Sequence, residues 1–315
     1  MLYQLGRYRL WLQAFFLSTW VLLGGSACVT HSADKASSVK APTTRRGLIW
    51  EAKRGSQLIT LVGTMHIGIS PDEIPKWLWT RLDHADTLIT EVDLAGMNGG
   101  LIRRYLLLPD KQDLETLMGA EDWHRLRSTV IEAFPHISDA QLRRMTPLAA
   151  CSNLMLAEAQ LAQKASPKNN QASSSNRDEV SMDQFIMEQA KAKGKTLKTL
   201  ETLEEQFSFL GKVFTLDQLR EMLKESAENR AYYQQLTTSF KEGDSEAIDS
   251  MVGAMPANLR ELLLDQRNQN WGKKLPQLLS PRETMIAVGA AHLGGKQGLL
   301  TILEAQGFQL KPLKP

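Results

Sequence analysis

The chain has 315 residues, 43% of them hydrophobic and 23% charged, with 37 Lys and Arg against 35 Asp and Glu. Such a balance, with no basic stripe along the chain, gives no footing for nucleic-acid binding. The only cysteines are Cys28 and Cys151, so acylation of the first, argued below, would leave no intramolecular disulfide.

The first 27 residues read as an export signal. Arg7 and Arg9 form a positive n-region, Ala14 to Gly25 is an apolar core too short to favour a permanent transmembrane helix, and Gly25-Ser26-Ala27 offers small residues for cleavage. Loss of both arginines with the signal leaves acidic and basic residues in balance. Cys28 follows directly and resembles the acylated cysteine of a bacterial lipobox, although Gly25 stands where a Leu is usual. On that reading the protein is lipid-anchored at the cell envelope; simple cleavage with a free Cys28 is the alternative. Val29 in the next position, rather than Asp, resembles lipoproteins sent on to an outer membrane, facing the periplasm. Residues 28–46 then form a polar tether, rich in Ser, Thr, Lys and Ala, ahead of one domain over 47–315.

Within that domain Leu48 to Lys53 and Gln57 to Val62 flank Arg54-Gly55-Ser56 and predict a β-hairpin. A helix is expected around Ile74 to Ala85 and a strand over Thr87 to Val92, followed by a long helical middle. Arg143 to Lys164 is helical, with Pro147 tolerated near its start, and Cys151 reads as a buried small residue. A polar low-complexity loop follows over 166–178. Met182 to Lys193 is helical and capped by Gly194, and Thr196 to Leu200 is a strand ending at Glu201. Thr215 to Lys241 predicts one amphipathic helix with a solvated charged face, and Ala257 to Leu279 another helix. Thr284 to Val288 is a strand, Lys296 to Gln306 a closing helix, and a last strand starts at Phe308. Alternation of strands and helices predicts an α/β fold, a mixed β-sheet flanked by helices with helical insertions.

Four of these β runs end at a polar or ionisable residue: His66, Glu91 with Asp93, Glu201, and His292. Two of the ends are Gly-x-x-His tetrapeptides, Gly63-Thr64-Met65-His66 and Gly289-Ala290-Ala291-His292. Such a tetrapeptide alone is weak, but ligands of open α/β sheets collect beyond the carboxyl ends of the strands, where distant residues converge. Two imidazoles with one or two carboxylates make a first shell for a divalent ion, and the lack of thiolates leaves Mn, Co or Zn. Such an ion acidifies water and polarises a carbonyl, and a leftover carboxylate can take the proton. On the helix over Ala257 to Leu279, Leu264, Asn268, Trp271 and Leu275 share a stripe, so Asn268 is expected to face inward with Arg267 at the edge. Asn268 would orient a ligand or metal-held water and Arg267 would anchor a carboxylate; a structural salt bridge or cap is the competing role.

In order along the chain, Leu61-Val62-Gly63-Thr64-Met65-His66-Ile67-Gly68, Thr90-Glu91-Val92-Asp93, Met182-Asp183-Gln184-Phe185, Leu200-Glu201-Thr202-Leu203, Arg267-Asn268 with Trp271, and Val288 to Gly295 resemble the TraB/GumN family, related to the Tiki proteins. The resemblance implies a fold similar to erythromycin esterases and the haem-binding ChaN proteins. It further implies a Mn- or Co-dependent membrane-tethered protease, or a role in silencing peptide pheromones. It places His66 and His292 in the metal site, Glu91 as their acidic partner, and Glu201, Arg267 and Asn268 in support. Ser181 departs from the glycine many relatives carry, and the 166–178 loop reads as an insertion.

Two functions of different kind follow. One is an envelope metal-dependent peptidase or hydrolase acting on an extracytoplasmic peptide or amide; the other is a non-catalytic binding protein that sequesters a peptide, a metal or haem. A surface lipoprotein whose motifs merely hold the core is a third option. Neither His-Glu-x-x-His nor Gly-x-Ser-x-Gly occurs, which excludes the commonest motif-defined hydrolases.

Overall fold

A computed structural model of the protein describes residues 48–66, 69, 73–164 and 181–313. The export signal, Cys28, the tether and the 166–178 loop lie outside the described residues, as do Ile67 and Gly68. Strands β1 (Ile49–Arg54) and β2 (Gln57–Thr64) form the expected hairpin, turning at Gly55 with φ of 58°. Helix α1 (Lys76–His84) and β3 (Thr87–Thr90) follow. The helical middle comprises α2 (Gly99–Leu101), which runs into a π-turn at Ile102–Leu106, then α3 (Leu114–Met118), α4 (Ala120–Ala133), α5 (Asp139–Arg143) and α6 (Pro147–Lys164). After α7 (Met182–Ala192) and β4 (Thr196–Thr199) come α8 (Leu203–Val213), α9 (Leu216–Lys224), α10 (Ser226–Lys241) and α11 (Ser245–Gly253). Helix α12 (Ala257–Arg260) continues through a π-turn into α13 (Gln266–Leu278), ahead of β5 (Glu283–Gly289), α14 (Leu299–Ala305) and β6 (Gln309–Pro312).

The strands form one mixed sheet in the order β4-β3-β5-β2-β1-β6. β4, β3, β5 and β2 are mutually parallel, whereas β1 runs antiparallel to both of its neighbours, β2 and β6, at one side. Side chains alternate between the faces. Ile59, Leu61, Ile89, Ile286 and Val288 pack under α13 and α14 with Trp271, Leu275 and Leu303. Val62, Leu88, Met285 and Ala287 pack under α1 and α7 with Leu78, Leu82 and Ile186. Burial on both faces accounts for the nearly continuous apolar runs of the central strands.

The remaining helices form a third apolar body, whose core includes Met65, Val92, Ala290 and Ala291 from the strand ends. These helices therefore close over the carboxyl edge of the sheet. α6 runs through their middle, buried along most of its length, so its Ala- and Leu-rich composition reflects contact on every side. No helix among the described residues is long and apolar enough to cross a membrane.

Three elements differ from expectation. The single helix expected over Thr215 to Lys241 is two, broken at Glu225, because Ser226 and Arg230 both bind Glu158 of α6 and draw the start of α10 onto it. The helix over Ala257 to Leu279 carries a π-turn at Glu261–Asp265. The closing helix starts at Leu299 rather than Lys296, because Gly295 takes φ of 77° and Gly298 lies against the Gly294 carbonyl, where a Cβ would be 2.0 Å from the oxygen.

Candidate active site

Parallel pairing places Gly63 opposite Val288 and Thr64 opposite Gly289, so both Gly-x-x-His segments leave the sheet side by side. On the other flank of β5, Thr90 pairs with Ala287 and with Thr199 of β4. The pairing outlasts the strands, since Glu201 N donates to Glu91 O at 3.0 Å. His66, His292, Glu91 and Glu201 thus stand along one sheet edge, in the spatial order of their strands.

Arg267 ties them together. It is fully buried, at the centre of the site rather than at the edge of its helix as the spacing predicted. Its Nη2 donates to Glu91 Oε2 and to Glu201 Oε1, both at 2.6 Å. Nε faces both oxygens of Glu201 at 3.2 Å, and Nη1 donates to the Leu263 carbonyl at 3.1 Å. Leu263 belongs to the π-turn, a local widening of the helix often found at functional sites. The competing role given to Arg267, a buried salt bridge, is one it fills. The two carboxylates hold its charge and raise its pKa against the opposing effect of burial.

His292 is completely buried. Its Nδ1 lies 2.5 Å from Asn268 Oδ1 and its Nε2 lies 3.2 Å from Arg267 Nη1. A guanidinium can only donate, so Nε2 is the acceptor and Nδ1 carries the proton. Asn268 Nδ2 also donates to the His292 carbonyl at 3.4 Å, so Asn268 faces inward as predicted and clamps the histidine twice. Burial, then the charges of Arg267 and His66, push the His292 pKa well below its ordinary value. The Trp271 ring lies 4.3 Å from the imidazole, centroid to centroid, and its Nε1 donates to Glu201 Oε2 at 3.1 Å. Glu91 Oε1 accepts from Gly289 N at 3.0 Å, so the second tetrapeptide holds the acid with its own backbone.

His66 faces the more open side. Its Nδ1 lies 2.6 Å from Asp183 Oδ2, and Thr64 Oγ1 donates to Asp183 Oδ1. Its Nε2 is buried with no hydrogen-bond partner among the described residues. Burial alone would lower the His66 pKa, but the charge and proximity of Asp183, with Glu91 adding to them, outweigh it and the pKa is raised. Asp183 is lowered in turn, since His66 and Thr64 overcome the effect of burial. The charges of Glu91 and Arg267 act on His66, and that of His66 acts on His292, as expected of groups at one site.

The structure therefore brings together Glu91, Glu201, Arg267, Asn268 and His292 in one bonded network, with His66 on its open side. Asp93, named with Glu91 as a strand-end acid, turns away: it caps Ala95 N and pairs with Lys191 near the surface. Cys28 lies outside the described residues. The residues that sequence reasoning left without a role are Asp183, Thr64, Trp271 and Gln206, whose Nε2 donates to Glu201 Oε1 at 3.1 Å. Asp183 sits in the first turn of α7, where an acid is ordinary, and only its place in the family motif could have marked it.

The donors fit a divalent ion in kind and in support. Each imidazole has its Nδ1 against an oxygen, of Asp183 or Asn268, the arrangement that orients Nε2 toward a metal. The orphaned Nε2 of His66 is one free donor, and Glu91 Oε1 lies 3.9 Å from His292 Nε2. In the present arrangement no group of three or more His, Cys, Asp or Glu among the described residues is close enough to hold a metal. Arg267 Nη1 engages His292 Nε2, the lone pair that an ion at this ring would take.

A family model matches residues 48–312, from the first strand to the last. The chain belongs to the TraB/PrgY/gumN family. No curated protein and no solved structure matches it. The part shared with the TraB/PrgY/gumN family includes every residue of the network just described.

Proposed function

We propose that the protein is an envelope-anchored, divalent-metal-dependent hydrolase that cuts a peptide or amide bond of an extracytoplasmic substrate. The observation that supports this most is His66 Nε2, a buried nitrogen without a hydrogen-bond partner among the described residues, beside a carboxylate-rich network. His66, His292 and Glu91 are the residues that would hold the ion, and nitrogen and oxygen donors without thiolate suit Mn, Co or Zn. A divalent ion bound there supplies charge that polarises a carbonyl and lowers the pKa of water. Asp183 and Asn268 fix the two rings. Glu201, engaged by Arg267, Trp271 and Gln206, is a positioning residue. Asp183 has the most exposed of the site's carboxylate side chains, 15% against 7% for Glu91 and 3% for Glu201, and holds His66 from the open side. The helices closing over the sheet edge exclude bulk solvent, which strengthens each of these interactions. Anchoring rests on Cys28 and the apolar signal before it.

A second reading, a protein that sequesters a peptide, a metal or haem without cutting it, draws on a different observation. Every N–H of Arg267 already has an acceptor, so this guanidinium offers no donor to a developing oxyanion. A peptide-library assay with Mn- or Co-loaded protein separates the two. Cleavage that is lost in His66→Ala supports the hydrolase; retention of an intact peptide or haem with no cleavage supports sequestration.

A further inference from the structure

We infer that Arg267 competes with the divalent ion for His292 Nε2 and thereby sets a weak, exchangeable metal affinity; the inference rests on the metal reading of the site. The guanidinium lies among two carboxylates and an imidazole nitrogen, a donor set of the kind that divalent ions also take. It is itself a cation, held by Glu91 and Glu201 and tied back to the Leu263 carbonyl. Asn268 fixes the other ring nitrogen of His292, so the imidazole has one lone pair to give, and Nη1 is on it at 3.2 Å. Metal and Nη1 cannot both use that lone pair. Entry of an ion requires Nη1 to leave His292, and because the guanidinium is one rigid plane its bonds to Glu91, Glu201 and the Leu263 carbonyl must tilt with it. The displacement is therefore a tilt of the whole guanidinium that stays beside its two counter-charges.

The test separates occupancy from net charge. Arg267→Gln combined with Glu201→Gln removes one positive and one negative charge together, leaving the net charge of the site as it was, with Glu91 still held by Gly289 N. Mn binding to the full mature chain is measured by titration calorimetry. The expected result is binding about ten-fold tighter in the double variant than in the wild type, the order of a lost charged hydrogen bond, and loss of that gain when His292→Ala is added. Equal or weaker binding in the double variant overturns the competition while the metal reading stands; no binding in either protein overturns both. Should the double variant fail to fold, nitrogen NMR of the wild type decides instead. On titration with the diamagnetic ion Zn, the Arg267 guanidinium signals should shift together with those of the His292 ring. Guanidinium signals that stay put while the ring shifts overturn the inference.

Discussion

Gly63 and Ala290 meet where the two Gly-x-x-His segments leave the sheet. A Cβ on residue 63 would stand 3.1 Å from Ala290 Cα and from the Leu48 carbonyl oxygen, and 2.7 Å from Leu293 Cδ1. The glycine is thus fixed by close approach of two backbones. Gly63→Ala is expected to lower stability by about 1–3 kcal/mol through overpacking and to part the segments that carry His66 and His292. Thermal unfolding measures it; an unchanged melting temperature would contradict the packing account.

Glu201 accepts bonds from Arg267, Trp271 and Gln206. Glu201→Ala leaves a buried guanidinium short of one counter-charge and is expected to cost about 3–5 kcal/mol in urea unfolding. Glu204, whose pair with Arg104 is more than half exposed, is the control: Glu204→Ala should change stability by no more than about 1 kcal/mol. Similar effects at both positions would refute the assignment of Glu201 to the buried network.

The pKa values of the two histidines are shifted in opposite directions. His66 has a raised pKa, so its pairing with Asp183 is at full strength below the ordinary histidine value of about 6.5 and is lost as pH rises through the folded pKa. His292 has a depressed pKa, so the unfolded chain binds its proton first and the protein loses stability as pH falls below about 6.5. NMR titration of the ring protons, with metal removed, should place His66 above that value and His292 below it. Asp183→Asn should bring the His66 pKa down. A His66 that titrates at or below the ordinary value, or is unmoved by Asp183→Asn, would show that the pair does not form.

Much of this site was legible before the fold was known. Its four strand ends share one edge because β2, β3, β4 and β5 are parallel, and a parallel sheet is what alternating strands and helices predict. Asn268 was readable from its place on the stripe of Leu264, Trp271 and Leu275. Arg267 was not, since its neighbour in sequence already claims the inward direction and helical spacing alone puts Arg267 at the rim. Its depth is intelligible only with Glu91 and Glu201 beside it to hold the charge. Asp183 was illegible for a related reason. It meets His66 and Thr64 across more than a hundred residues, through the packing of α7 on the sheet, which no local pattern encodes. The break at Glu225 likewise depends on Glu158, an acid buried on a distant helix.

Titration of the metal-stripped protein with Mn or Co, in parallel with His66→Ala and His292→Ala, tests most directly whether the two tetrapeptides build one metal site. Saturable binding in the wild type that is lost on either substitution, with both variants folded by circular dichroism, is the predicted result. Binding that persists undiminished in both variants, or is absent from the wild type, would contradict it.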